Sequence, residues 1–277
     1  MSVASASETP AAARAFDTMA DGFDARFGAW LSVAAQRRVV RAALAEAFPE
    51  GVRLLEVGGG TGEDAAWLLD RGRQVLLTDA SPSMVRVARA KFAGRPYAQA
   101  EVASAEGLEA LAERRADAPL FDGAYSNFAA LNCVTDLPAF ARGLARLLAP
   151  GAPALLVVFG TCCPGEWLVE GLRGRPGAMV RRFARGDVAA RLNGQAFTVR
   201  YHRSADLARA LSPWFRPAGR QGVGVFVPPS AAEPWISRHP RLLAGLEALD
   251  RAVSRPLAGL GDHVLHRFVR TDAEVLG

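Results

Sequence analysis

Lysine is almost absent from this chain. Of its 33 lysine and arginine residues only Lys91 is a lysine, while alanine is abundant. The formal net charge of +5 is therefore carried by arginines scattered along the sequence. No block of like charge marks a nucleic-acid-binding tail, and the distribution reads as a composition bias rather than a binding patch. Cysteine is scarce too: Cys133, Cys162 and Cys163 are the only ones. Neighbours such as Cys162 and Cys163 have poor geometry for a bridge with each other. No Cys-x-x-Cys pair or Cys/His ladder offers a metal site, so none is expected, and the thiols should be reduced in a cytoplasmic protein. A continuous apolar run of about 18 residues is also lacking, so no membrane partner is expected. The first nine residues lack the basic and apolar parts of a secretory signal. What is present in quantity is apolar residue: 50% hydrophobic against 22% charged, which argues for a packed core and against disorder. At 277 residues, one α/β core with an embellishment is the natural expectation.

Periodicity divides the chain. Residues 1–13 read as a flexible tail and residues 14–277 as one domain. Phe16, Met19, Phe23 and Phe27 recur at helical spacing, which predicts one or two amphipathic helices over Ala15 to Arg26. Val33 to Phe48 is a stronger helix, stopped by Pro49 and Gly51. Short apolar strands then alternate with helices. The strands are Arg53 to Val57, Gln74 to Thr78, Tyr97 to Val102, Phe121 to Ser126 and Ala154 to Phe159. The helices are Glu63 to Arg71, Pro82 to Phe92, Leu108 to Arg115 and Leu137 to Leu148. This alternation predicts a parallel sheet covered on both faces. Beyond Gly160 the regularity breaks, and 161–201 reads as an insertion. Trp167 to Arg185 is partly helical, and Asn193-Gly194 predicts a two-residue hairpin between Val188 to Leu192 and Phe197 to Tyr201. Ser204 is expected to cap a helix over Ala205 to Leu211. The chain ends with an extended Phe215 to Val227, a helix Pro240 to Ser254 and a strand His263 to Arg270.

The segment Glu56-Val57-Gly58-Gly59-Gly60-Thr61-Gly62 joins a buried strand to a helix through a glycine-rich turn. Glycine lets backbone approach a ligand, and the helix start presents free N–H groups to it. Alone, the pattern also fits an ordinary tight turn. It is sharpened by Asp79, an acidic residue ending the second strand, which can accept both hydroxyls of a ribose or serve as a helix cap. The run follows E-x-G-x-G-x-G and resembles motif I of the class I S-adenosylmethionine-dependent methyltransferases, of the UbiE/BioC-like kind. Asp79-Ala80-Ser81-Pro82-Ser83-Met84 is similar to their D-x-S-x-x-M motif. Ala103 to Leu108, Phe121 to Asn127 and Leu147 to Gly151 resemble further motifs, in order. Ala15-Phe16-Asp17 and Gly22-Phe23-Asp24 are similar to the family's lid helices. Ser104 departs from the pattern, standing where the family usually has an aspartate against the adenine amino group.

The resemblance implies a Rossmann-like α/β fold with N-terminal lid helices and an insertion after the fifth strand. Its seven-stranded, mostly parallel sheet would carry His263 to Arg270 antiparallel between the fifth strand and the segment Phe215 to Val227. It implies S-adenosylmethionine as cofactor and methyl transfer to O, N or C of a small-molecule or biosynthetic-intermediate acceptor. By the same resemblance Gly58, Gly60 and Gly62 pass the methionine moiety, and Glu56 positions the loop or the cofactor amino group. Asp79 binds the ribose, Ala80 and Met84 pack on the adenine (for Met84 a core role fits equally), Ser104 and Ala105 lie at the base, and Asn127 lies at the substrate mouth. Methyl transfer from a sulfonium needs alignment and desolvation, with a base only for some acceptors. His202 is the candidate base, against a surface or capping histidine. Tyr125 reaches the acceptor only if the pleat agrees. Trp167 can wall an aromatic acceptor or fill core. Arg173, Arg175, Arg181, Arg182 and Arg185 attract an anionic substrate or, more simply, solvate a helix face. His266 reads as structural. A nucleic-acid methyltransferase is disfavoured, because Ser126 to Ala130 lacks the Asn/Asp-Pro-Pro-aromatic run that holds a flipped base. A nicotinamide oxidoreductase is disfavoured by the glycine spacing. A non-catalytic binder of the cofactor stays open because of Ser104.

Overall fold

The computed structural model describes residues 9–128 and 130–275. The expected tail falls mostly on residues 1–8, and one motif position on Ala129, outside the described residues. Residues 11–13 of that tail belong to a helix, α1 (Ala11–Asp17), with Ala13 buried. After it come α2 (Phe23–Gly28) and α3 (Leu31–Ala47). The sheet then builds through β1 (Arg53–Val57), α4 (Glu63–Leu69), β2 (Gln74–Asp79), α5 (Pro82–Lys91) and β3 (Ala98–Val102). It continues through α6 (Leu108–Arg114), β4 (Gly123–Ser126), α7 (Leu137–Leu147) and β5 (Pro153–Phe159). The insertion holds α8 (Pro164–Leu172), α9 (Pro176–Val180) and a hairpin, β6 (Asp187–Leu192) and β7 (Gln195–Arg200). The remainder is α10 (Ser204–Leu211), β8 (Phe215–Val223), α11 (Pro240–Val253) and β9 (His263–Arg270).

The 7-stranded sheet has the order β3-β2-β1-β4-β5-β9-β8. Every pairing from β3 to β5 is parallel, and β9 runs antiparallel to both β5 and β8. The sheet thus confirms the expected place of His263 to Arg270. Its central strands β1, β2, β4 and β5 are buried on both faces, and the pleat sorts their residues strictly. Leu55, Val57, Ala124, Leu156 and Val158 pack with Leu108, Phe140 and Leu144 of α6 and α7. Leu54, Tyr125, Leu155 and Val157 pack with Leu44, Leu68 and Val85 of α3, α4 and α5. Each leucine, valine and phenylalanine among them contributes about 1.5–3 kcal/mol by leaving water.

Local chemistry sets the helix starts. The Ser81 hydroxyl accepts the Met84 N–H at 3.1 Å with Pro82 at the first helical position of α5. Asp136 accepts the Ala139 N–H at 2.9 Å to start α7. Ser204 does not cap α10; it lies inside the helix, and Arg203 occupies the cap position with no side-chain bond. At the hairpin tip Asn193 and Gly194 take φ of 47° and 80°, the left-handed pair that a two-residue turn demands. Short 3₁₀ turns at 230–232 and 236–238 bury Ala232 and Ile236 against Ala35 and Leu243. Among the described residues no helix is long and apolar enough to cross a membrane.

Candidate active site

Strand order reverses between β1 and β4, since β2 and β3 lie on one side of β1 while β4 and β5 lie on the other. A crevice opens at the carboxyl ends of strands flanking such a switch point. Here its two rims are the glycine loop after β1 and the turn Asn127-Phe128 after β4. Gly58 and Gly59 donate to the Thr78 carbonyl at 2.8 and 3.0 Å, which ties the loop to β2. Gly58 has φ +69°, and a Cβ there would stand 2.3 Å from the Ala130 methyl. Only glycine fits. Asp79 holds the tip: its two carboxylate oxygens accept the Gly60 N–H at 2.9 Å and the Ser81 N–H at 2.8 Å. Burial pushes its pKa up against the pull of these donors. It is not the cap of α5, which is Ser81.

A cavity of about 440 Å³ fills the crevice, a size suited to a small molecule. Glu56, Gly58, Gly60, Asp79 and Ala80 line it, and so do Met84, Ser104, Ala105 and Asn127. Gly62 does not. With φ +79° it turns the chain into α4, where a Cβ would press on the Phe92 ring at 2.9 Å. Glu56 is 2% exposed, and its Oε2 has no hydrogen-bond partner. Burial, then the nearby Asp64 charge, drive its carboxyl far above the ordinary range. Asn127 donates to Asp64 at 2.7 Å, and Arg41 donates to the same carboxylate at 2.8 Å. The Ser104 hydroxyl accepts the Gly107 N–H at 3.0 Å, which leaves its proton free to donate.

The roof comes from α1 and α2, which place Phe16, Phe23 and Phe27 on the cavity wall. Their two aspartates latch onto the floor. Asp17 accepts from the Ser81 hydroxyl and, at 3.0 Å, from the Ser83 N–H. Asp24 accepts from the Thr61 hydroxyl at 2.5 Å and pairs with Lys91 at 2.8 Å. The hairpin completes the cover, with Phe197 6.1 Å from Phe16 between ring centroids. The repeated Phe-Asp dipeptide was the only sequence signal for these latches.

Residues 54–151, β1 through the turn before β5, match the family model described as a methyltransferase domain. The segment is a class I methyltransferase domain. Its cofactor is S-adenosylmethionine, and the chain is an enzyme. No curated protein matches the chain. Among solved structures, it is similar to an S-adenosylmethionine-dependent methyltransferase from Mesorhizobium loti. That match is 23% identical, spans 85% of this chain and 98% of the other, and has a TM-score of 0.55. A putative methyltransferase of Haloferax volcanii, solved in complex with a methyltransferase activator, is 17% identical over 92% of this chain and 97% of its own, with a TM-score of 0.54. The [4+2]-cyclase SpnF is 18% identical over 85% and 81%, also with a TM-score of 0.54. These likenesses are of fold.

The cavity continues past Asn127 toward β5 and β9. Phe128 takes φ +46°, rare for an aromatic residue and held by its N–H donating to the Asn127 side chain at 2.7 Å. Its ring lies under the Arg37 guanidinium at 4.8 Å and meets His263 edge-on at 5.8 Å. Phe159 stacks on His263 at 4.9 Å. Behind them Arg182, only 4% exposed, pairs with Glu166 and, at 2.6 Å, with Asp262. It also donates to the carbonyls of Gly160 and Asp262 at 3.1 and 2.7 Å. Arg182 therefore does not solvate a helix face; it is the centre of a buried ion network. Cys133 also lines the cavity, but burial, with the Asp79 charge, pushes its thiol up to about 11, so it is no thiolate.

Three residues expected on the acceptor side lie off the cavity wall. Tyr125 is fully buried because the pleat turns it toward Phe48 and α3. Trp167 points to Phe183, at 5.8 Å, while its neighbour Glu166 faces inward. His202 contacts the Leu131 carbonyl through Nε2 at 3.1 Å, and burial lowers its pKa.

Proposed function

We propose that this protein transfers the methyl group of S-adenosylmethionine to a small-molecule acceptor held between Asn127 and His263. The carrying observation is the pairing of Asp79 with Glu56 in one cavity. Asp79 is fixed by two backbone N–H groups and can accept ribose hydroxyls through its remaining lone pairs. Glu56 offers a buried carboxyl group with an orphaned oxygen, which a bound ammonium group would draw into its ionised, accepting form. Gly60, with nothing within 4 Å of a virtual Cβ, leaves open space beside them. Ala80, Met84, Ser104 and Ala105 would take the base.

When bound, the sulfonium supplies an activated methyl group, so the protein needs no nucleophile of its own. The chain's task is to align the acceptor, exclude water and, where the acceptor carries a proton, remove it. The aromatic roof from α1 and α2 excludes water. The strained turn at Asn127-Phe128 sets the position of the acceptor against the cofactor. A small acceptor fits the covered cavity better than an open nucleic-acid groove, and Arg182, which lines it, is committed to Glu166 and Asp262.

Isothermal titration with S-adenosylhomocysteine tests the reading. The wild type should bind it, and Asp79→Ala should lose at least about tenfold in affinity, or about 1.4 kcal/mol. Unchanged affinity would remove Asp79 from the site.

A further inference from the structure

We infer that His263 is the general base of the acceptor site, and that the acceptor is a planar aromatic hydroxyl compound lying against the Phe128–Phe159–His263 wall. This rests on the cofactor reading above. Phe159 and His263 are register partners where β5 ends and β9 begins, so both stand at the rim that carries the glycine loop and Asn127. β9 is two strands from β4, about 10 Å at ordinary strand spacing. Phe128 reaches across that gap to the imidazole edge. A ring lying on this wall is therefore between the cofactor end and His263.

The wall is built, not incidental. Phe128 holds a left-handed backbone conformation, φ +46°, that is strained for an aromatic residue, and from it the ring meets His263. Three flat rings meet at centroid distances of 4.9 and 5.8 Å and suit a flat aromatic guest. Among them His263 is the one group that can take a proton. Its Nδ1 lies 3.5 Å from an Asp262 oxygen and has no hydrogen-bond partner. Asp262 is itself held by Arg182 at 2.6 Å and by Gln36 at 3.1 Å. Burial first, and then the Arg182 charge, keep the imidazole neutral against the pull of Asp262, and so free to accept a proton. Asp262 is a positioning residue: its charge can stabilise the imidazolium that forms.

The chemistry balances. The acceptor oxygen uses a lone pair to form the new C–O bond to the methyl carbon. The C–S bond breaks and its pair stays on sulfur, giving the neutral thioether. The phenolic proton passes to the His263 imidazole and then to solvent.

Two probes separate this role from mere packing. At about pH 8, 1-naphthol is mostly protonated and needs a base, whereas 4-nitro-1-naphthol is already ionised and does not. The wild type should methylate both. His263→Ala should lose about 100-fold or more in kcat with 1-naphthol and less than about tenfold with the nitro compound. Added imidazole should restore the first rate. S-Adenosylhomocysteine affinity, read by calorimetry, should stay within about twofold, which certifies the fold of the variant. Adding 1-naphthol to the S-adenosylhomocysteine complex should shift the His263 imidazole NMR signals and leave those of exposed His239 in place. Equal losses on both naphthols, no transfer to either by a wild type that binds S-adenosylhomocysteine, or unmoved His263 signals would overturn this inference alone. A wild type that does not bind S-adenosylhomocysteine would overturn the cofactor reading and this inference with it.

Discussion

Glu56 is a single side chain whose burial costs the fold stability. Its carboxylate is buried with one oxygen unpartnered, beside the Asp64 charge. Because its folded pKa is raised above the unfolded value, the stability linked to its proton is complete below the ordinary glutamate range. That stability is lost as pH rises from there through the folded pKa. Glu56→Gln should therefore flatten the loss of apo-protein stability between acid and neutral pH and raise Tm at neutral pH by about 2 °C or more. The same substitution should weaken S-adenosylhomocysteine. Thermal melts across pH decide the first part; a steeper fall in the variant would contradict the assignment. Gly58 makes the opposite case. Its φ of +69° and the Ala130 methyl leave no room for a side chain, so Gly58→Ala should cost about 1–3 kcal/mol in chemical denaturation.

At the scale of elements, the central strands β1, β2, β4 and β5 were legible because they are covered on both sides and so read as short apolar runs between glycine and proline signals. The position of β9 between β5 and β8 was legible only through the family resemblance. The pleat parity of Tyr125 was not, since a four-residue strand apolar on both faces carries no alternation to orient it. Arg182 was misread for a related reason. A solvated arginine and a buried one look alike until the partner appears, and Asp262 lies 80 residues away in sequence. His263 and Phe159 meet only through the antiparallel register of β5 and β9. Arg182→Leu leaves buried Asp262 without its arginine and Glu166 with only the half-exposed Arg181, and should cost about 3–5 kcal/mol in urea or guanidinium titrations. Asp24→Ala releases α2 from Thr61 and Lys91 and should raise the S-adenosylhomocysteine off-rate several-fold, at most about 1 kcal/mol for a half-exposed group. An unchanged off-rate would mean that the roof does not hold the ligand.

Among the described residues a seven-stranded sheet carries one cavity, with Asp79 and Glu56 toward one end, His263 toward the other, and a roof drawn from the N-terminal helices and the two-stranded hairpin of the insertion. Covering the cavity from two distant parts of the chain links ligand binding to global stability. S-Adenosylhomocysteine at about 100 times its Kd should add about 2.7 kcal/mol and raise Tm by roughly 5–10 °C. The most direct measurement is a crystal structure of the protein with S-adenosylhomocysteine. The ribose hydroxyls should lie within hydrogen-bond reach of Asp79, the ammonium should face Glu56, and the sulfur should face the gap between Asn127 and His263. A nucleoside bound elsewhere, or a cavity still empty in crystals soaked at saturating ligand, would contradict this account.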